Sequence, residues 1–511
     1  MGMQQILLGS GAGGESYWIK SIRPSGTNID MRGNGSGQSV MSPDGTDDGN
    51  LYFCTGSASQ SYPTNTDGVH MFKFDKDGTI SLKKSFYTDA GYHQFHTGLD
   101  SSENLYIGLH SGRIIKFNSS FVEQARKDID KMNWEKASKF IFEGNNIHVV
   151  SDGSSHSQSS GRKIYHKLSN STLEPQNFGD WSNDTRHLFA TSSPGELVLK
   201  DGKFYMLITS IVVDWTSYHD ILVKFDYTGG SWANSNYPFH FNNDVDWSRR
   251  LSKQDGSTSH QNSPYTRCLV VDDNGDIYTA GPNAQYGSSW LTQGERHQFS
   301  KLNSSGTTQW FRNIARSADG DGFFDWNIYY GFGGPRDIAI KGDYLYSLNQ
   351  GKNNTQTNKS GNVHDYTILK MNKSNGNYVS SYSIANETIN FETHSSKREA
   401  MQGALWTDTA IYFTTNVPKS TSNRYESDRT LLFKLPIDGG VNGSYTLDGQ
   451  TIKISDNDLS SNGSLSSSNK TWTNSGGNLG KSRNNLSNTS TSAMSAPTHH
   501  TASYTNTQLD L

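Results

Sequence analysis

The sequence predicts an all-β chain built from repeated four-stranded units, and two alternating series of residues support this prediction. The first series places a tyrosine after a turn and an apolar residue, as in "GNLYFCTG" and "GDIYTAG". Its members are Tyr52, Tyr106, Tyr205, Tyr278, Tyr346 and Tyr412, with His148 in the gap. The second series places a lysine in a short apolar strand, at Lys73, Lys116, Lys167, Lys224, Lys301, Lys370 and Lys434. The two series alternate without a miss, which indicates seven repeats.

Each repeat has the pattern of four short strands. The stretch 268–281 alternates apolar and polar residues around an Asp/Asn/Gly cluster, which is the pattern of a hairpin. The lysine strand then turns into a strand that carries an aromatic residue such as Trp310 or Tyr378. One small sheet cannot bury both of its faces, whereas sheets stacked around an axis can. The sequence therefore predicts a β-propeller, most simply of seven four-stranded blades, with six or eight blades as alternatives.

The repeats divide the chain into three segments. The propeller is predicted over residues 30–450. In the N-terminal segment 1–29, "YWIKSIRPSGT" has the pattern of a lysine strand, so we expect it to complete the last blade and close the ring. Residues 451–511 form an extended arm rich in Ser, Thr and Asn. The arm has apolar residues spaced by seven, at Leu465, Trp472, Leu479 and Leu486. We expect this arm to make few contacts with its own propeller and to anchor or oligomerise the protein on a partner chain.

Composition excludes several classes of function. The net charge is −4, with both signs scattered along the chain, so we expect no nucleic-acid partner. No run of 18 apolar residues occurs, so we expect no membrane span. The opening residues lack the basic and apolar regions of a secretory signal. Cys54 and Cys268 fall on different predicted hairpins, and we expect them to be buried free thiols of a protein made in a reducing cytosol.

Two long connections between blades, Asn242–Gly256 and Ser317–Pro335, are the predicted binding surface. Loops on a rigid scaffold are common binding sites. Aromatic rings beside carboxylates suit a sugar, because the ring stacks on C–H groups while the carboxylate accepts hydroxyl hydrogen bonds. The candidate ligand-binding residues are Asp246, Trp247, Asp325, Trp326, Tyr329, Tyr330 and Phe332. The alternative interpretation is that these aromatic residues fix long loops onto the propeller.

Motifs for catalysis and metal binding are weak. Asp319, Asp321 and Asp325 have a spacing similar to a calcium loop, but the pattern breaks after the second glycine. His93 and His96 lack a third metal ligand. No nucleophile elbow, HExxH motif, phosphate loop or carboxylate pair stands out. We therefore expect no catalytic residue, no metal and no cofactor.

Both ends of the chain resemble a known group of proteins. The opening "MQQILLGSGAGGESYWI", the repeat array, and the Ser/Thr/Asn tail with periodic leucines resemble virion structural proteins of tailed marine phages, of the cyanophage and pelagiphage type. This resemblance implies a multimeric virion protein that is assembled in the host cytoplasm and joined to other virion proteins by the C-terminal arm.

We therefore expect a propeller module of the tail or neck adsorption apparatus that contacts host surface glycans. A purely structural ring, connector or capsid-decoration protein is the alternative. A carbohydrate-processing propeller enzyme is the second alternative.

Overall fold

The computed structural model describes the strands of the repeats and the turns that join many of them. The described residues are 16–24, 29–30, 39–46, 49–59, 68–87, 95–109, 113–128, 140–152, 162–174, 185–190, 193–214, 217–226, 245–253, 268–283, 296–316, 334–351, 365–388, 404–418, 427–456, 465–469, 472–475, 498–500 and 504–510. All regular elements within these ranges are β-strands. In this part of the chain no helix is long and apolar enough to cross a membrane.

The strands form seven antiparallel sheets, each built on four strands, and the fold is a β-propeller. This confirms the predicted fold class and the predicted number of blades. The described residues fall into two compact units, one with sheets 1, 6 and 7 and the other with sheets 2 to 5. Each unit is described separately below.

The first unit contains three sheets, whose strands come from the N-terminal and the C-terminal parts of the sequence. Sheet 1 contains β2 (Ile29–Asp30) and β3 (Ser39–Met41), which both pair with β4 (Leu51–Ser59), followed by β5 (Gly68–Phe74) and β6 (Ile80–Tyr87). Sheet 6 contains β23 (Gly334–Lys341), β24 (Tyr344–Gly351), β25 (Asp365–Asn372) and β26 (Tyr378–Asn386). Sheet 7 contains β27 (Leu405–Trp406), β28 (Ala410–Pro418), β29 (Ser427–Pro436) and β1 (Trp18–Pro24).

In the second unit, each of four sheets is made of consecutive strands. Sheet 2 contains β7 (Phe95–Leu99), β8 (Leu105–Leu109), β9 (Arg113–Phe117) and β10 (Glu123–Asp128). Sheet 3 contains β11 (Ile141–Glu143), β12 (Asn146–Asp152), β13 (Arg162–Ser169) and β14 (Thr185–Ala190). Sheet 4 contains β15 (Ser193–Lys200), β16 (Lys203–Asp214), β17 (Ser217–Asp226) and β18 (Val245–Lys253). Sheet 5 contains β19 (Cys268–Val271), β20 (Ile277–Asn283), β21 (Arg296–Leu302) and β22 (Thr308–Arg316).

The N-terminal segment contributes strand β1 to the last blade. It pairs antiparallel with β29, with Trp18 opposite Lys434 and Ile22 opposite Thr430. Trp18, Ile19 and Ile22 are all fully buried. Sheet 7 therefore takes its fourth strand from the other end of the sequence.

The hydrophobic core lies between consecutive sheets. One apolar cluster joins the faces of sheets 4 and 5, including Leu207 and Phe311. Others join sheets 2 and 3, sheets 6 and 7, and sheets 7 and 1. Each fully buried apolar side chain contributes about 1.5–3 kcal/mol of transfer free energy. Cys54 and Cys268 lie in this core as free thiols, as expected, and burial raises the pKa of the Cys54 thiol above its ordinary value.

Residues beyond 442 add further strands to five of the sheets. Sheet 6 gains the hairpin β30 (Gly443–Leu447) and β31 (Gln450–Asp456), sheet 5 gains β32 (Leu465–Asn469) and sheet 4 gains β33 (Trp472–Ser475). Sheet 1 gains β34 (Thr498–His500), and sheet 7 gains β35 (Tyr504–Asp510) beside β1.

Two expectations about this segment are therefore wrong. The predicted domain boundary between residues 450 and 451 falls inside β31, whose Ile452 and Ile454 are buried in the core of sheets 6 and 7. The arm was also expected to make few contacts with its own propeller, but its described residues pair with the propeller sheets. The physical reason is that strand addition uses backbone hydrogen bonds, which Ser, Thr and Asn supply as well as any other residue.

Candidate functional site

The repeated tyrosine and lysine form one cross-strand pair in every sheet. The tyrosine lies on the second strand of the sheet and the lysine on the third, and the two are direct partners in the antiparallel register. The pairs are Tyr52–Lys73, Tyr106–Lys116, His148–Lys167, Tyr205–Lys224, Tyr278–Lys301, Tyr346–Lys370 and Tyr412–Lys434. The spacing between partners along the chain varies from sheet to sheet, but the register does not.

Each tyrosine ring carries the ammonium group of its partner over its face. The lysine Nζ lies 5.2–5.5 Å from the ring centre in the six tyrosine sheets. A cation within about 6 Å of an aromatic centre is attracted by the ring quadrupole, by ~0.5–2 kcal/mol depending on how far it is desolvated. The six tyrosines and His148 are at most 3% exposed. The pair thus sits where desolvation strengthens this attraction.

In sheet 5, the turn before the tyrosine strand places two carboxylates near the Tyr278–Lys301 pair. Asp272 Oδ1 accepts hydrogen bonds from the backbone N–H groups of Asn274 and Asp276, at 3.0 and 2.9 Å, which fixes the turn between β19 and β20. Lys301 Nζ lies 2.7 Å from Asp276 Oδ2. Burial, followed by the charges of Asp272 and Asp276, raises the pKa of Tyr278 above its ordinary value. The tyrosine therefore stays neutral, and the lysine charge is balanced.

Two of the pairs also reach the following sheet of their own unit. In sheet 2, Tyr106 donates to Asp100 Oδ2 at 2.9 Å, and Lys116 donates to the carbonyl of Asn170 in sheet 3 at 2.9 Å. In sheet 6, Tyr346 and Lys370 both donate to Asp438 Oδ1, each at 2.8 Å, and Asp438 lies in the connection that follows β29 of sheet 7. Burial, with the Asp438 hydrogen bond next, raises the pKa of Tyr346 to about 12. These polar groups connect neighbouring sheets.

In three sheets a tryptophan on the fourth strand lies next to the lysine, so that tyrosine, lysine and tryptophan form a row across three neighbouring strands. Trp247, Trp310 and Trp18 lie opposite Lys224, Lys301 and Lys434 in the register. Each packs against the tyrosine of its row, with ring centres 6.1–6.4 Å apart. Trp247 is therefore the sheet-4 member of a repeated Tyr–Lys–Trp row.

The candidate residues Asp246 and Trp247 lie on strand β18. The expected loop over 242–256 is wrong for residues 245–253, which form this fourth strand of sheet 4. Asp246 is exposed, and its carboxylate accepts a hydrogen bond from Lys203 Nζ at 3.1 Å and lies 4.0 Å from Lys224 Nζ. The sequence pattern did not reveal this strand, because a long stretch of chain separates it from the lysine strand β17.

Trp247 and Arg249 together hold sheet 4 to a turn of sheet 5. The Trp247 indole N–H donates to the carbonyl of Ser304 at 3.1 Å. The Arg249 guanidinium lies 5.2 Å from the Trp247 ring centre and donates to the carbonyls of Ser305 and Gly306 at 2.9 and 3.2 Å. We call Trp247, Arg249 and the turn 303–307 the Trp247 clamp. The clamp uses both the indole N–H and the indole face of Trp247.

Other candidate residues lie outside the described part of the chain. These are Asp325, Trp326, Tyr329, Tyr330 and Phe332 of the predicted binding surface, Leu479 and Leu486 of the arm, the predicted calcium-like stretch 319–325, and His93. Leu465 and Trp472 are the first residues of β32 and β33, and His96 is buried on β7. Among the described residues, no cluster of three or more His, Cys, Asp or Glu could hold a metal ion.

The comparisons with known proteins give no family for this chain. No family model and no characterised protein sequence matches the chain. Among solved structures, BamB from Moraxella catarrhalis has a TM-score of 0.36 at 9% identity, covering 81% of this chain and 100% of its own. The Swd1 β-propeller domain of Myceliophteria thermophila has a TM-score of 0.36 at 8% identity, with 81% and 99% coverage. The Dos1 propeller has a TM-score of 0.39 at 9% identity, with 81% and 95% coverage. Likeness at this level carries no conclusion about this chain, whose class, a β-propeller protein, follows from its own sheet topology.

Proposed function

We propose that this chain is a structural protein of a tailed-phage virion, a propeller module of the tail or neck adsorption apparatus. The resemblance of both ends of the sequence to such proteins motivates the proposal. The observation that supports it best is the pairing of β1 between β29 and β35, so that the first and last described strands lie side by side in one sheet.

This arrangement suits a protein that must last outside a cell. Its two cysteines are free and buried, so the chain has no disulfide. Strand β1 pairs over Trp18–Ile22 with β29 and over Trp18–Pro24 with β35, so it cannot separate without breaking two ladders. Such pairing raises the barrier to unfolding, and a particle protein that is not replaced survives by its unfolding rate.

The polar residues of the repeats support a non-enzymatic role. The tyrosine, lysine and turn carboxylates of the rows contact one another, and the Trp247 clamp uses its own donors within the fold. These groups stabilise the propeller, so binding to a host glycan would fall to the predicted residues of the segment Ser317–Pro335.

The test is the protein content of purified particles. Phage particles banded on a density gradient and washed in high salt should contain this chain at a fixed ratio to the major capsid protein, measured by quantitative mass spectrometry. Recovery only in the unbanded lysate fraction would contradict the proposal. Immunogold labelling then separates a tail or neck position from the alternative of a capsid-decoration protein.

One observation favours the alternative of a purely structural ring or connector. The Trp247 indole is occupied by Ser304 and Arg249, so this candidate aromatic residue is not offered to a ligand in the way the sugar-binding interpretation needs. Particles with Trp247→Phe and particles with Trp326→Ala separate the two functions. A host-binding propeller should adsorb poorly with Trp326→Ala and normally with Trp247→Phe, whereas a structural ring should adsorb normally with both.

A further inference from the structure

The turn that follows the third strand contains one left-handed residue in each of five sheets. This residue is next to last in the turn and donates its backbone N–H to a carbonyl at the start of the turn, at 2.8–2.9 Å. Its φ lies between +54° and +78°. We call it the turn residue, and the turn residues of sheets 1, 2, 3, 5 and 6 are Gly78, Phe121, Leu173, Gly306 and Gly376. Two of these residues are bulky, although the conformation favours glycine.

Leu173, the turn residue of sheet 3, lies in the contact between sheets 2 and 3. Its side chain is fully buried and belongs to the apolar cluster of these sheets, against which Ala125 of β10 also packs. Lys127 Nζ donates to Glu174 Oε2 at 2.6 Å, which places β10 beside this turn. A left-handed leucine is strained, and such strain persists where the surrounding structure holds the residue in place. Burial of the Leu173 side chain offsets the strain.

Ala125 is the small member of this contact. It lies opposite Lys116 in the register of sheet 2. Trp247 of sheet 4 and Trp18 of sheet 7 occupy the same position, opposite the lysines of their own sheets. We call this position the row residue, and we call the contact of the fourth strand with the turn of the next sheet a junction. In the junction of sheets 2 and 3 the row residue is therefore small and the turn residue is large.

In the junction of sheets 4 and 5 the two sizes are exchanged. The row residue is Trp247 and the turn residue is Gly306. A Cβ built on Gly306 would lie 3.1 Å from the Trp247 ring and 3.0 Å from the Arg249 side chain, so a leucine would not fit there. Arg249 lies two residues after Trp247 and donates to this turn. Lys127 does the same two residues after Ala125, so the two junctions have the same arrangement with opposite sizes.

The junction of sheets 7 and 1 repeats the arrangement of sheets 4 and 5. Its row residue is Trp18 and its turn residue is Gly78. A Cβ built on Gly78 would lie 2.8 Å from the Trp18 ring and would also meet the side chain of Lys20, two residues after the tryptophan. Tryptophan thus faces glycine in two junctions, and alanine is combined with leucine in the third. Each of the three junctions lies within one compact unit.

We infer that the row residue and the turn residue of each junction are matched in size, and that this matching keeps each sheet beside its own neighbour. Chains with repeated units misassemble by exchanging like units. Against the turn of sheet 3, Trp247 would meet Leu173 and overpack the contact. Against the turn of sheet 5, Ala125 would face Gly306 and leave a cavity. Both faults destabilise a protein core, and the matching avoids them whether or not the protein is part of a virion.

Exchanging the sizes at one junction of the full chain tests the matching. Ala125→Trp overpacks the junction and Leu173→Gly leaves a cavity, so each should lower the thermal midpoint by about 3 °C or more. The double variant rebuilds the pair of sheets 4 and 5 and should regain at least about half of the summed loss. Leu173→Gly with Trp247→Ala leaves cavities at different junctions and should lose the full sum. No recovery in the double variant would overturn the matching; if Ala125→Trp does not fold alone, folding of the double variant is itself the recovery.

Refolding tests whether the matching also selects the neighbouring sheet. The double variant Ala125→Trp with Leu173→Gly gives sheets 2 and 4 the same row residue and sheets 3 and 5 the same turn residue. Its yield of monomer after dilution from urea, measured by size-exclusion chromatography, should fall at least about twofold below that of the parent, although its thermal midpoint is regained. Leu173→Met keeps the size of the side chain and should match the parent in both measurements. A refolding yield of the double variant equal to that of the parent would contradict the selection of neighbours.

Discussion

His148 and Lys167 face each other across the second and third strands of sheet 3, in the register that pairs a tyrosine with a lysine in the other six sheets. The His148 side chain is fully buried, with Glu143 Oε2 at 3.3 Å from its Nε2 and the Phe204 ring packed edge-on at 5.2 Å. Burial, with the Lys167 charge next, lowers the pKa of His148 from 6.5 to about 4. The histidine is thus neutral in the folded protein, where its six counterparts are neutral phenols.

Stability should fall at mildly acidic pH because of this histidine. A depressed pKa means that the unfolded chain binds a proton below about pH 6.5 while the folded chain does not until about pH 4. The stabilisation is therefore present above pH 6.5 and is lost as the pH falls towards 4, with about 2 kcal/mol lost at pH 5. The variant His148→Tyr restores the residue of the other sheets and should remove this share.

Urea unfolding at pH 7 and pH 5 measures the effect. His70, whose pKa burial lowers to about 3, titrates in the same range but is unchanged in both proteins. The difference between the parent and His148→Tyr therefore isolates His148. Identical loss of stability on acidification in the two proteins would show that His148 is not held neutral.

The Trp247 clamp should be sensitive to a methyl group at Gly306. Gly306 has a φ of +76°, and a Cβ there would lie 3.0 Å from the Arg249 side chain and 3.1 Å from the Trp247 ring. Gly306→Ala should cost about 2–4 kcal/mol, from left-handed strain plus displacement of the clamp.

Gly342→Ala is the matched control. Gly342 has a φ of +55° with nothing within 4 Å of a built Cβ, so this variant should cost only the backbone strain, about 1–2 kcal/mol. Chemical denaturation of both variants checks the difference. Equal losses would mean that the turn and the clamp do not press on each other.

The strand from the N-terminal segment should be essential to the fold. Trp18 is fully buried, packs at 6.1 Å from the Tyr412 ring, and belongs to the cluster between sheets 7 and 1. Trp18→Ala should cost about 3–5 kcal/mol, as expected for a large buried aromatic residue. Val379→Ala, at a residue 45% exposed, should stay within about 0.5 kcal/mol of the parent. Similar thermal midpoints for the two variants would show that β1 is dispensable.

The sheets could be predicted from sequence because, in six of the seven, the four main strands follow one another along the chain. A hairpin brings each tyrosine and lysine together within one repeat, so the alternation of the two series follows the strands themselves. The seventh sheet was predicted from Tyr412 and Lys434, but its fourth strand was visible only because "YWIKSIRPSGT" resembles a lysine strand. The direct opposition of tyrosine and lysine was not visible, because the length of chain between them varies and register depends on the turn.

The fourth strands and the tail were harder to read. Strand β18 carries Trp247 in the position that Trp310 occupies in sheet 5, but residues 227–244 separate β18 from its lysine strand, and the stretch looked like a loop. Strand pairing uses backbone hydrogen bonds, so Ser- and Asn-rich segments of low β-propensity can add strands to a sheet without an alternating pattern. Only the tryptophan of the row could have revealed β18 in advance.

We predict that the tyrosine and lysine of each repeated pair stabilise the fold through their contact with each other. Tyr278 and Lys301 provide the cleanest example, with the Lys301 Nζ 5.4 Å from the ring centre and its side chain 15% exposed. A double-mutant cycle with Tyr278→Leu and Lys301→Met measures their coupling in the free energy of unfolding. Lys341→Met is the control, because its partner Asp408 is 94% exposed and surface ion pairs contribute little.

The measurement that decides the claim is this coupling free energy. We expect a coupling of about 1 kcal/mol, with each single variant destabilised and Lys341→Met within about 0.5 kcal/mol of the parent. A coupling indistinguishable from zero, in variants that unfold at the parent's denaturant concentration, would contradict a structural role for the pair.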